Sequence, residues 1–483
     1  MHYIKEQSRD QVTLFPETLE DYISANNPVQ FIDRYVDTLN LEQLGFKHAT
    51  LRKTGRPPYC PGALLRLYIY GYLYQHRSSR QLERQTHCNV EVMWLLRKLH
   101  PDFKTIADFR RENGKAIRAI VCRFRTLCRE LGLYGRELMA VDGSYFKASN
   151  NRTQHISRTQ LDKDLVKLDQ QIADYLAAMD DSDKGDSGEP LSEAELAEKL
   201  QRLNTLQKRQ AVKQTQRDSL EAAGESQRCL TDPDARLLRK GGKTVIGYNV
   251  QIAVDKKHHL IAAHEVTNAG NDQGQLTPLA KQVKAALNVE HIEAVADAGY
   301  HTREDLKSSS EAGVTPYVKP TNSSSSKANG RYSKSDFDYD TEADVYRCPA
   351  NNLMHFVGTG RDKTGHLLRY YRAKGCGDCR LRGQCLKPGV AYRRISRWEH
   401  ERIVEQNAAR LQQQPEMMKT RMSLAEHPFG TLKHWMGAEH FLTRGNSGVK
   451  TEMSLSVMAY NLKRAINVLG VEKMIEGASK MPA

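Results

Sequence analysis

The chain has 483 residues, with 72 Lys+Arg against 58 Asp+Glu and a formal net charge of +14. At roughly 100–200 residues per domain that length implies about two to four folding units, and 39% hydrophobic with 27% charged residues is a globular composition, neither disordered nor fibrous. No apolar run approaches the roughly 18 residues that span a bilayer, and residues 1–7 lack the basic-then-apolar pattern of a signal peptide, which sets aside membrane and secreted readings.

The charge is unevenly placed. Residues 1–46 hold 3 Lys/Arg and 8 Asp/Glu, a net of −5, whereas residues 47–130 hold 18 and 6, a net of +12. Such a segment is the footprint expected of a polyanion-binding module, with Arg52, Lys53, Arg56, Arg77, Arg80, Arg110 and Arg111 as candidate DNA contacts. Its texture is helical. Pro61 opens an apolar stretch, Ser78 with Glu83 further on resembles a capping box, and a third basic helix starts near Asp102. Short helices and tight turns of this kind are compatible with a helix-turn-helix-like unit. Cys60, Cys88, Cys122, Cys128 and Cys229 stand singly and are expected to be buried small hydrophobes.

Residues 137–144 change to a short apolar strand ending in an acidic turn at Asp142. A charged helical segment over 158–226 follows, interrupted near 180–190. Leu161, Leu165, Leu168 and Ile172 recur there at helical spacing, so it reads as a helical hairpin inserted into the domain. Strand texture returns at 248–255 and 259–266 around a turn at 255–258. A helix over 273–287 and a strand over 291–297 come next, the opening of a mixed α/β sheet. The serine run at 323–326 is a linker into a cysteine-containing region, and 399–480 is helical again.

Three acids lie at positions where a carboxylate is held and exposed: Asp142 before Gly143-Ser144, Asp297 before Ala298-Gly299-Tyr300, and Glu426 before His427-Pro428. Any one alone reads as a cap, a turn former or a surface group. Together they offer oxygen ligands for hard divalent cations, two of which sit about 3.5–4 Å apart in phosphodiester chemistry.

Val141-Asp142-Gly143-Ser144, Ala296-Asp297-Ala298-Gly299-Tyr300 and the stretch from Glu426 to Lys433 resemble the DDE transposases of bacterial insertion sequences. The likeness continues through Gly437, Phe441–Gly445 and Met453–Leu455, and Gly55 through Arg110 resembles their N-terminal transposase-associated domain. The resemblance implies an α/β fold: a ribonuclease-H-like mixed sheet with flanking helices, an all-α N-terminal DNA-binding domain, a helical-hairpin insertion and a Cys-rich insertion. The corresponding boundaries are 1–132 for the N-terminal domain, 133–480 for the catalytic domain, and 158–228 and 323–395 for the insertions. It further implies Asp142, Asp297 and Glu426 as ligands of two Mg²⁺ or Mn²⁺ ions. The partners implied are double-stranded DNA, as terminal inverted repeats and target, and a second copy of the chain on that DNA. A bacterial cytoplasm, at the nucleoid, is the expected home. Lys433, seven residues after Glu426 and roughly on the same helix face, matches the family lysine near the bound DNA end. Arg421, a further candidate DNA contact, stands one residue from the family's arginine position, which here is Met422. Pro428 implies that Glu426 lies just before a helix start or at a kink.

Cys348, Cys376, Cys379 and Cys385 have the spacing C-x27-C-x2-C-x5-C. The close pair fits one side of a tetrahedral zinc site that the other two complete, with unligated cytoplasmic thiols as the alternative. Trp435 is a candidate for stacking on DNA ends, and equally a core tryptophan. Two alternatives to a transposase share these features: a metal-dependent DNA nuclease on the same core, and a DNA-binding derivative without catalysis.

Overall fold

The computed structural model describes residues 18–50, 57–151, 154–184, 193–240, 242–320 and 330–481. It is a mixed α/β structure divided into two compact units: Met1–Gly135, Gly143–Asn271 and Glu426–Ala483 in one, and Arg136–Asp142 with Asp272–Ala425 in the other. The expected contacts Arg52, Lys53 and Arg56 and the 323–326 serine run lie outside the described residues. Among the described residues no helix is long and apolar enough to cross a membrane.

In the first unit the helices start where side chains satisfy their free N–H groups. Asn27 caps Pro28–Asp37, Asn89 caps Val90–Leu96, and Asp102 caps Phe103–Glu112. Ser78 caps Ser79–Cys88 in a box closed by Gln81 rather than by Glu83, because the partner must stand at the third helical position. Pro61–Leu73 is apolar on nearly every side and correspondingly buried all round. It packs with Pro28–Asp37, with Val90–Leu96 and with the long helix Gly445–Leu469, on which Gly114–Glu130 also packs. Glu452 on that long helix is fully buried. It accepts hydrogen bonds from the Leu442 and Thr443 N–H groups and from the Thr443 hydroxyl, and an ion pair with Arg77 completes its shell.

The strands of this unit begin with β1 (Leu138–Lys147), which enters it at Gly143. The short β2 (His155–Ser157) and β3 (Gln227–Cys229) pair antiparallel and bracket two helices, Arg158–Lys184 and Glu193–Ala222, which pack on each other. Leu161, Leu165 and Leu168 are buried, as their spacing requires. An antiparallel set follows, β4 (Arg236–Lys240), β5 (Lys243–Asp255) and β6 (Ile261–Thr267). Where β5 passes β1, a Cβ at Gly247 would stand 1.9 Å from the Phe146 carbonyl oxygen, so only glycine fits. Cys128 and Cys229 are buried as expected, but Cys60, Cys88 and Cys122 are exposed, at a helix start, a helix end and the solvent side of an amphipathic helix.

His264 on β6 hydrogen-bonds Ser454, and its Nδ1 is buried with no hydrogen-bond partner among the described residues. Burial, reinforced by Arg125, Arg118 and Lys450, pushes its pKa down to about 3. An unfolded histidine titrates near pH 6.5, so below that pH the unfolded chain takes up a proton that the folded chain does not. This contribution is complete above about pH 6.5 and is lost as pH falls toward 3, at up to about 1.4 kcal/mol per pH unit. Melting temperatures from about pH 7 to about 4.5 should therefore fall less steeply for His264→Gln; an identical slope would exonerate this histidine.

The second unit is built on parallel pairing. Leu138–Ala140 of β1 pair with β7 (Ile292–Ala296), and β7 pairs with β8 (Val314–Val318). Helices Leu276–Leu287, Arg303–Glu311 and Glu401–Gln413 belong to this unit, and buried Asn407 bonds both the N–H and the C=O of Val318. The core joins Leu138, Ala140, Val295 and Tyr317 to Met417, Leu424 and Ala425 of the helix Glu416–Gly430. The cysteine region forms an antiparallel sheet of β9 (Asp338–Asp340), β10 (Val345–Arg347), β11 (Leu353–Arg361), β12 (Leu367–Ala373) and β13 (Arg394–Trp398), in the order β13-β12-β11-β10-β9.

Candidate active site

Asp142 does not end a strand, contrary to expectation. β1 runs on through Asp142 to Lys147, because β7 pairs with its first residues and β5 lies beside its last ones. Asp297 does follow its strand. Its Oδ1 accepts the Gly299 N–H at 2.8 Å and caps the short turn Ala298–Tyr300. A Cβ on Gly299 would lie 3.0 Å from that Oδ1 and 3.4 Å from Oδ2 of Asp272, so glycine permits the close turn.

The two aspartates meet at Arg421. Its guanidinium Nη2 lies 2.9 Å from Asp142 and 3.6 Å from Asp297. The side chains of Arg421 and Asp142 are only 15% and 13% exposed, which puts this pair in the partly buried regime where water screens less. Arg421 arrives there because Met417, Leu424 and Ala425 lie on the same helical stripe and pack onto the sheet. Met422, at the family's arginine position, points out and is exposed. Two neighbours of the site were not foreseen from sequence, buried Asp272 and Tyr300. Burial, then the charges of Asp272, Asp142 and Asp297, raise the Tyr300 phenol well above its ordinary value and keep it protonated. The 3.6-residue period of Met417, Arg421, Leu424 and Ala425 was a usable signal for Arg421; nothing local marks Asp272.

Glu426 belongs to the first unit and is solvent-facing. It lies inside Glu416–Gly430 and not before a helix start. Pro428 is accommodated within that helix, which passes into a π turn over Thr431–Trp435. The Glu426-to-Lys433 spacing therefore crosses a change of helical pitch. The Lys433 Nζ bonds the Ser144 hydroxyl at 2.6 Å and the Tyr145 carbonyl at 2.8 Å, and stands 4.7 Å from the centroid of the Phe146 ring. Trp435 is 76% exposed and is no core tryptophan.

Three arginines of the basic 47–130 segment are engaged within the protein. Arg77 is buried against Glu452, and Arg110 bonds the Tyr72 hydroxyl and lies over Tyr68, so neither presents its charge to a phosphate. Arg66 pairs with Asp33 and Asp37 of the acidic first segment. Arg111 is exposed but paired with Asp108, and Arg80 is exposed beside the Phe103 ring.

Cys348, Cys376, Cys379 and Cys385 line one cavity of about 30 Å³ together with Phe337, Met354 and Leu386. Burial pushes the Cys385 thiol up, opposed by Arg393 and reinforced by the other three cysteines. Among the described residues no group of three or more His, Cys, Asp or Glu side chains is arranged to hold a metal ion. Neither the acids nor the cysteines are preassembled as a ligand set.

Two separate segments match family models. Residues 17–112 match a transposase domain (DUF772), and residues 347–466 match the transposase DDE domain, a span that contains Glu426 but neither aspartate. Both models describe transposase domains, the second the DDE domain, so the chain is similar to DDE transposases over these two segments. A comparison with curated proteins finds no match. Among solved structures, a cryo-EM structure of a piggyBac transposase synaptic complex with hairpin DNA aligns over 94% of this chain and 79% of that chain, at 10% identity and a TM-score of 0.34.

Proposed function

We propose that the chain binds the terminal inverted repeats of a mobile element and catalyses divalent-metal-dependent strand cleavage and strand transfer from a ribonuclease-H-like core. The observation that carries this reading is the convergence of Asp142 and Asp297 on one cation, the Arg421 guanidinium. Two carboxylates already gathered about a positive charge suit a hard divalent ion, with Arg421 as its stand-in. Asp142 and Asp297 would hold the metal, and Glu426 is the third acid that the family resemblance supplies. Bound there, divalent ions would activate the attacking oxygen and stabilise the leaving one across the scissile phosphodiester.

The chain's own residues then divide the work. The Asx turn at Asp297 fixes one carboxylate, and the β1 backbone fixes the other. Lys433, held by Ser144 and Tyr145, presents a fixed positive charge within the first unit. Exposed Trp435 offers a ring for a splayed base. Domains at 1–132 and 133–480, with insertions at 158–228 and 323–395, complete this reading, as does a homodimer on DNA. The insertion's four cysteines share one cavity, which supports a structural zinc there.

The test uses the DNA flanking the gene. A plasmid carrying those ends, incubated with the purified chain and Mg²⁺ or Mn²⁺, should be cut at the ends and the released fragment joined to target DNA. Cutting without joining would favour the nuclease. Binding without cutting under any divalent ion would favour the non-catalytic derivative.

A further inference from the structure

We infer that the outer face of the antiparallel sheet in the cysteine region is a second DNA-binding surface, recognising duplex phosphates without reading sequence. The inference rests on the transposase reading for its partner and on this unit alone for its geometry. Residues 345–398 hold 12 Lys/Arg and 2 Asp, a net of +10 in 54 residues, denser than the +12 of 47–130. The arrangement matters more than the total. Arg372 of β12 and Arg394 of β13 are directly opposed across the strand pair, and His355 of β11 opposes Arg372 from the other side. Like charges facing each other about 5 Å apart on a sheet are destabilising.

The opposite face has the same problem and solves it internally. Arg369 and Arg397 are likewise opposed, but Asp344 pairs with the first and Glu405 with the second. On the outer face no ion pair with Arg372 or Arg394 is found among the described residues, and both are exposed. A like-charge pair retained without a protein counter-ion suits a polyanion that brings its own negative charge.

Both arginines are also held ready. Arg394 lies over the ring of Tyr370, 4.4 Å from its centroid, and Arg372 over Tyr392 at 4.6 Å. Stacking leaves the guanidinium edges, which carry the donors, free to meet phosphate oxygens. It also reduces the side-chain ordering that each long side chain otherwise costs on binding. The pattern offers charge and rigid donors, which suit contact with the phosphate backbone.

The full chain is titrated against a fluorescein-labelled duplex of arbitrary sequence, by anisotropy, between about 50 and 200 mM salt. The double variant Arg372→Glu, Arg394→Glu should bind roughly tenfold or more weakly, with a salt slope shallower by about 1.8, two phosphate contacts' worth. If charge reversal lowers the melting temperature, Arg372→Gln with Arg394→Gln takes its place, with the same loss of slope expected. Unchanged affinity and slope in a variant that melts normally would overturn the surface. A wild-type chain that binds no duplex at any of these salts would overturn the transposase reading itself.

Discussion

Asp142→Asn and Asp297→Asn are each expected to lower metal-dependent cleavage by about 10³ or more while leaving DNA affinity within a factor of about two. Each change removes one ligand charge from a site whose chemistry depends on several kcal/mol of charge stabilisation, and neither touches the basic surfaces. The amide keeps the shape of the side chain, so Arg421 retains one carboxylate in either variant and the local packing of Met417, Leu424 and Ala425 is undisturbed. Glu426→Gln is expected to behave alike. Cleavage on plasmid ends and anisotropy on the same duplex separate the two readouts. Full cleavage by any one variant would remove that residue from the assignment, and equal loss of cleavage and binding would mean that the site shapes the DNA surface instead.

The second large effect is expected at the cysteines. Protein purified without chelator should hold about one zinc per chain, and Cys376→Ser should lose the metal together with much of the thermal stability. Structural zinc is worth about 10–16 kcal/mol in isolated zinc-finger peptides; here Phe337, Tyr346, Met354 and Tyr371 give the sheet a core of its own, so the loss should be smaller. The thiols are not preassembled, and binding would draw them together around the cavity and release their protons. With four thiolates there is no open coordination position, so the metal requirement for cleavage should be unchanged in the variant. Absence of zinc by elemental analysis, with a normal melting curve for Cys376→Ser, would exclude the site.

The basic segment shows how a count misleads when partners are distant in sequence. A net of +12 over 47–130 was legible at once, but two of its arginines, Arg66 and Arg77, are paired with acids outside that window, Asp33 and Asp37 before it and Glu452 far beyond. The cysteine sheet is the reverse case. Its charge carries no helical or strand periodicity that stands out, and only the register of β11, β12 and β13 shows which arginines share a face.

What the sequence determined by itself was local: helix starts at Pro61, Ser78 and Asp102, the β5–β6 hairpin, and the leucine stripe of the inserted helices. These depend on side chains within a few residues of the backbone groups they satisfy, or on a repeat of 3.6 or 2 residues. The tertiary structure decided everything that turns on a long-range partner. It made Asp142 a mid-strand residue, because strands from elsewhere in the chain flank it, and it chose Arg421 over Met422, because packing of Met417 and Leu424 sets which side of the helix faces the sheet. It also turned Arg77 and Arg110 inward, since a buried carboxylate and two tyrosines provide what water otherwise would.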